Sequence, residues 1–213
     1  MKRYFLYPLS IKTVSVEIFN PFCVFENGSS GETGYNISLS HGMSSIAAFL
    51  IQLFKLNFAK DRTVNLLTGT VNYILDQITY SKESLSYFPV FSKESSPGNR
   101  NSRLGWCYGD LGIAHILWQA AIVLKNKELE NVSMQILRYN TNRRDLKENA
   151  IKDAGLCHGS AGVSYIFWNL FVSVWILTNN IKILILKNYL LILYNYLLKF
   201  EDFNVWTIIS ALF

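Results

Sequence analysis

The stretch GLCHGSAGVSYIF, residues 155–167, sets Cys157 and His158 side by side between small residues, ahead of an apolar helical pattern. Thiolate sulfur and imidazole nitrogen are both good ligands for a borderline-soft metal. The same pair also reads as a buried thiol beside an ordinary histidine. A second stretch, GWCYGDLGIAHIL at 105–117, repeats the layout around Cys107, and a third, SHGMSSIAAFL at 40–50, opens with His41. Each unit runs small residue or Cys, then aromatic or His, then Gly, two residues, a small residue, and a β-branched residue opening a helix. Cys107, Cys157 and His158 together form a Cys2His set, which suits Zn2+ and leaves the fourth tetrahedral position open. A water or thiol coordinated there would lose its proton more readily. Spacing alone leaves a second explanation equally good: two buried cysteines and a histidine at a helix start. No CxxC pair settles the matter.

Chemistry from these residues requires a fold that gathers them. The units begin at residues 40, 107 and 157, and each interval holds a helix pair plus a loop. Recurrence of one supersecondary unit indicates a solenoid or a closed toroid. Only closure puts all three turns at one end of the assembly, so an all-α, α/α toroid is expected. The glycines suit tight turns where backbone meets backbone before a helix. Apolar periodicity predicts a first helix from residue 43 or 44, with Ile46, Phe49, Leu50, Leu53 and Phe54 as its stripe. A second follows, with Val64, Leu67, Val71, Ile74 and Leu75 inward. Further helices are expected at 111–125, 127–139 and 163–178, with a long loop at 79–102. Asp110 is expected to cap the third helix, His115 to lie in the core, and Trp106 and Tyr108 to pack beneath the turn or else to line the cavity, packing being preferred.

Composition limits the function classes. The 213 residues are 50% apolar, 15% aromatic and 16% charged, enough for a sizeable core and unlike a disordered chain. The net charge of +5 is scattered. Its one tight cluster, NRRDLK at 142–147, is expected to be a solvated loop or helix end, so nucleic acid is not an expected partner. Three cysteines do not make a disulfide framework, and Cys23, in a Phe-rich run, reads as a small buried hydrophobe. The N-terminus lacks a clean signal-peptide core, and a reducing cytoplasm is expected. The segments expected are an irregular 1–35, a repeat region at 36–178 and an apolar helical tail at 179–213. Lys187, Asn188 and Asn195 interrupt that tail, so no firm membrane span is expected, although membrane association remains open.

RLGWCYGDLGIA (103–114), GLCHGSAGV (155–163) and SLSHG (38–42) together resemble the lanthionine synthetase C family, the cyclases of lantibiotic biosynthesis, over residues 35–170. The resemblance implies an α/α toroid with one zinc ion held by Cys107, Cys157 and His158. It implies a reaction in which a precursor-peptide Cys thiolate, activated on zinc, adds to dehydroalanine or dehydrobutyrine and closes a thioether ring. His41 and Arg103, four residues before Cys107, would serve the acid–base and enolate-stabilising work. The implied partners are a dehydrated, Cys-containing precursor peptide, a dehydratase and a peptide exporter. The chain also departs from the family. Residues 1–40 hold no Asp to match an upstream catalytic acid, Ser45 replaces the repeat Gly, and members are longer. A truncated ring is therefore expected, its tail partly out of an ancestral reading frame. The alternative function is a catalytically silent, zinc-stabilised fragment that binds a peptide or a partner.

Overall fold

The computed structural model describes residues 24–26, 33–81, 84–93 and 101–175. Cys23 and the tail at 179–213 lie outside them. Five helices carry the fold: α1 (Met43–Lys55), α2 (Lys60–Asp76), α3 (Asp110–Leu124), α4 (Lys127–Asn140) and α5 (Ser160–Trp175). Before them stands one antiparallel pair, β1 (Val24–Glu26) and β2 (Thr33–Tyr35). That pair corrects the expectation of an irregular segment throughout 1–35. Val24, Phe25 and Tyr35 favour extended backbone.

α1 with α2 and α3 with α4 form helix hairpins, each closed by a short left-handed turn, at Asn57 and Ala59 and at Lys125. Asn126 then starts α4, its side chain accepting a hydrogen bond from the Leu129 amide at 3.0 Å. α3 packs against α1 on one side and α5 on the other, so the helices that follow the three turns form one continuous inner row. Ten residues of α3 are buried, which explains why its sequence is apolar on every face. The inward face of α1 differs from the expected stripe. Met43, Ala47, Leu50 and Ile51 are buried, whereas Phe49 is 61% exposed. α1 meets two neighbours, α2 and α3, and the small Ala47 admits their close approach.

A buried polar knot ties the loops to this row. The Asp110 carboxylate accepts hydrogen bonds from the Tyr87 and Phe88 amides, both at 2.8 Å, and pairs with Arg143 at 3.3 Å. Arg143 also donates to Ser102 O, the Asn140 side chain and Asn149 Oδ1. Two expectations are corrected here. Asp110 is the first residue of α3 and makes tertiary bonds, while the N-cap position is Gly109. Within NRRDLK, Arg143 is buried, whereas Asn142, Arg144, Asp145 and Lys147 are exposed as expected. Both reversals have one cause: a buried carboxylate and a buried guanidinium satisfy each other. Among the described residues, no helix is long and apolar enough to cross a membrane.

Candidate metal centre

The three turns lie side by side, stitched by their backbones. The Ser40 amide donates to Cys107 O and the Cys107 amide to Cys157 O, both at 3.1 Å. These residues share one position in the repeat, so the stitching carries the sequence register directly into space. Gly109 shows why the turn needs glycine. Its φ is +101°, and a Cβ there would stand 2.1 Å from Arg103 O.

The turns bring Cys107, Cys157 and His158 together, with one ligand atom from each lying within 4.8 Å of the others. Two thiolates on one tetrahedral zinc, with Zn–S of about 2.3 Å, stand about 3.8 Å apart. The observed set therefore needs to contract by no more than about 1 Å to close on an ion. Its donors, two sulfurs and one nitrogen, are those such an ion prefers. Both cysteines are free thiols, Cys107 buried and Cys157 exposed. Burial, and then the Cys157 thiol beside it, push the Cys107 thiol up to about 11, while Arg103 and the Tyr108 amide pull against that rise. A metal binding here must therefore displace a firmly held proton.

The centre opens on a cleft of about 470 Å³ whose lining includes Ser40, His41, Arg103 and Tyr108. His41 is exposed, and its ring centroid lies 6.1 Å from that of Tyr108. Arg103 is half-buried. Tyr108 lines the cleft, and its hydroxyl lies 3.5 Å from Asn36 Nδ2. Trp106 is 37% exposed and so is not packed beneath the turn as expected. His115 sits apart, packed on Trp118 and joined to Gln119 at 2.7 Å, and burial pushes its pKa down. The sequence reading passes over Asp153, whose carboxylate lies 3.3 Å from His158 Nε2. The repeat register held the signal, because Asp153 precedes Gly159 by the same interval that separates Asn36 from Gly42 and Arg103 from Gly109.

Fold and site together define a part of an α/α toroid whose repeat turns gather a Cys2His cluster. A structural neighbour shares the fold: nisin cyclase, with a TM-score of 0.53 at 18% identity, covering 63% of this chain and 34% of that one. The family model described as lanthionine synthetase C-like protein matches residues 22–200, reaching beyond the expected 35–170 at both ends. The chain belongs to the lanthionine synthetase C-like family. Glutathione S-transferase LANCL1 of Danio rerio is 30% identical over 135 residues, 63% of this chain and 30% of that protein. The chain thus spans about a third of the length of the relatives it matches.

Proposed function

We propose that this protein is a zinc-dependent thioether-forming cyclase of the lantibiotic type, with a dehydrated, Cys-containing peptide as substrate. The observation that carries the reading is the Cys107–Cys157–His158 cluster at the edge of a cleft that also holds His41 and Arg103. Cys107, Cys157 and His158 would hold one zinc ion, which, when bound, supplies the Lewis acidity that lets a substrate thiol react as thiolate near neutral pH. In the addition, a sulfur–carbon bond forms at the β-carbon of a dehydroamino acid as its carbon–carbon double bond opens. The charge moves to the carbonyl oxygen, where the Arg103 guanidinium, which lines the same cleft, stabilises it. His41, an imidazole in the same cleft, returns a proton to the α-carbon. The thiol proton balances that transfer. A reducing, cytoplasmic setting suits the reading, since both ligand cysteines must remain thiols.

The cyclase reading takes its thiol from a cysteine within the peptide, while the name of one relative prints glutathione, so the test carries both. The purified chain is assayed for zinc content beside Cys107→Ala and His158→Ala. It is then incubated with a dehydrated peptide carrying a free Cys, and separately with a thiol-free dehydrated peptide plus glutathione. Stoichiometric zinc in the wild type alone, with loss of alkylatable peptide thiol at unchanged mass, supports the cyclase. A mass gain of one glutathione moves the substrate to the second class. Zinc with unchanged thiols in both arms leaves the zinc-stabilised binding fragment. Wild type without zinc overturns the reading.

A further inference from the structure

We propose that Asp153 is the positioning residue of this centre, fixing both the turn that carries Cys157 and the orientation of the His158 ring. The proposal rests on the zinc reading above. One carboxylate oxygen, Oδ1, accepts a hydrogen bond from the Gly155 amide at 2.7 Å. The other, Oδ2, lies 3.3 Å from His158 Nε2. The carbonyl of the same residue accepts from the Ser160 amide at 3.0 Å, closing the turn onto the first residue of α5. Asp153 Oδ1 also lies where a side chain at position 159 would begin, 2.3 Å from a Cβ built there, so Gly159 makes room for it.

The repeats provide an internal control. Asn36 occupies the matching place in the first unit and makes the matching turn bond, its Oδ1 accepting from the Ser38 amide at 2.9 Å. That unit has Ser40 where the third has Cys157, and its His41 is no part of the Cys2His cluster. An amide therefore suffices for the turn. The carboxylate occurs in the unit whose histidine joins the cluster, and what it adds over an amide is a charged acceptor for an imidazole N–H. An imidazole whose Nε2 faces a carboxylate is biased to carry its proton there, which leaves Nδ1 as the free lone pair; drawing the 3.3 Å contact into a hydrogen bond would fix the ring plane. Both side chains are about half exposed, 47% and 48%, so the pair adds little to global stability and acts through geometry.

The test measures zinc affinity of the full chain by competition with a chromophoric chelator at fixed pH, alongside melting of the metal-free protein. Asp153→Asn should retain the turn and melt with the wild type, yet bind zinc about ten- to hundredfold more weakly. Asp153→Ala loses the turn bond as well and should show a larger affinity loss with a lower melting point. Glu148→Gln, a nearby exposed carboxylate, should change neither. Asp153→Asn binding zinc within twofold of wild type overturns the positioning role while leaving the zinc site standing. Wild type that binds no zinc overturns both.

Discussion

At the residue scale, the centre is governed by how strongly the metal-free cluster holds its proton. With burial and Cys157 pushing the Cys107 thiol up to about 11, only a small fraction of it is thiolate near neutrality. Zinc binds the thiolate, and below that value each unit of rise in pH multiplies the competent fraction by about ten. Apparent zinc affinity should therefore climb at least about tenfold per unit between pH 6 and 8, where competition titrations can follow it. A flat profile would mean that Cys107 is not a ligand. The turn itself makes a second prediction. Gly109→Ala forces a side chain into a positive-φ residue and against Arg103 O, at a cost of about 1–3 kcal/mol. Because that strain moves Cys107, the variant should lose zinc affinity as well as melting temperature. A variant that melts earlier but binds zinc normally would separate the turn from the site.

At the element scale, the Asp110–Arg143 pair joins the start of α3, the loop around Tyr87 and the segment beyond α4. Removing one partner strands a buried charge, so Asp110→Ala should cost about 3–5 kcal/mol in a denaturant titration. The α4 cap variant Asn126→Ala should cost about 1 kcal/mol. Equal losses would contradict the burial ordering. This pair also marks how far the sequence could be read. Helix positions were legible because period, caps and left-handed turns are local: the expected 111–125 is Asp110–Leu124, and 127–139 is Lys127–Asn140. That Cys107, Cys157 and His158 come together was legible because the repeat register aligns Ser40, Cys107 and Cys157, and backbone bonds preserve that alignment. Arg143 was not legible, because nothing in NRRDLK separates it from Arg144. Its partner Asp110 is 33 residues away and becomes a partner only after α3 and α4 pack. The α1 face was misread for a related reason: Phe49 fits a helical stripe as well as Ala47 does, and the choice falls to the neighbouring helices. Asp153 needed the three-way register, since an acid followed by Ala and Gly reads alone as an ordinary turn.

At the scale of the whole molecule, the Cys2His cluster joins units that are distant in sequence but adjacent along the inner row. Cys107 precedes α3, whereas Cys157 and His158 precede α5, and these helices pack directly against each other. In the metal-free chain, the backbone bond from the Cys107 amide to Cys157 O holds the two turns together at the cluster. A bound ion would clamp the same junction, and because the unfolded chain does not preform the cluster, its binding energy becomes folding energy. Free zinc at 100 times its dissociation constant should stabilise the fold by about 2.7 kcal/mol. For a domain of this size that raises the melting temperature by about 5–10 °C. The rise should be reversed by chelator and absent in Cys157→Ala. It should appear as one sharper transition if the inner row unfolds as a unit, because the clamp spans the α3–α5 contact. Were zinc to shift melting equally in wild type and Cys157→Ala, the metal would be acting elsewhere. Were α5 alone to melt early in the metal-free chain and rejoin the main transition on adding zinc, the clamp would be what makes the third unit part of the fold.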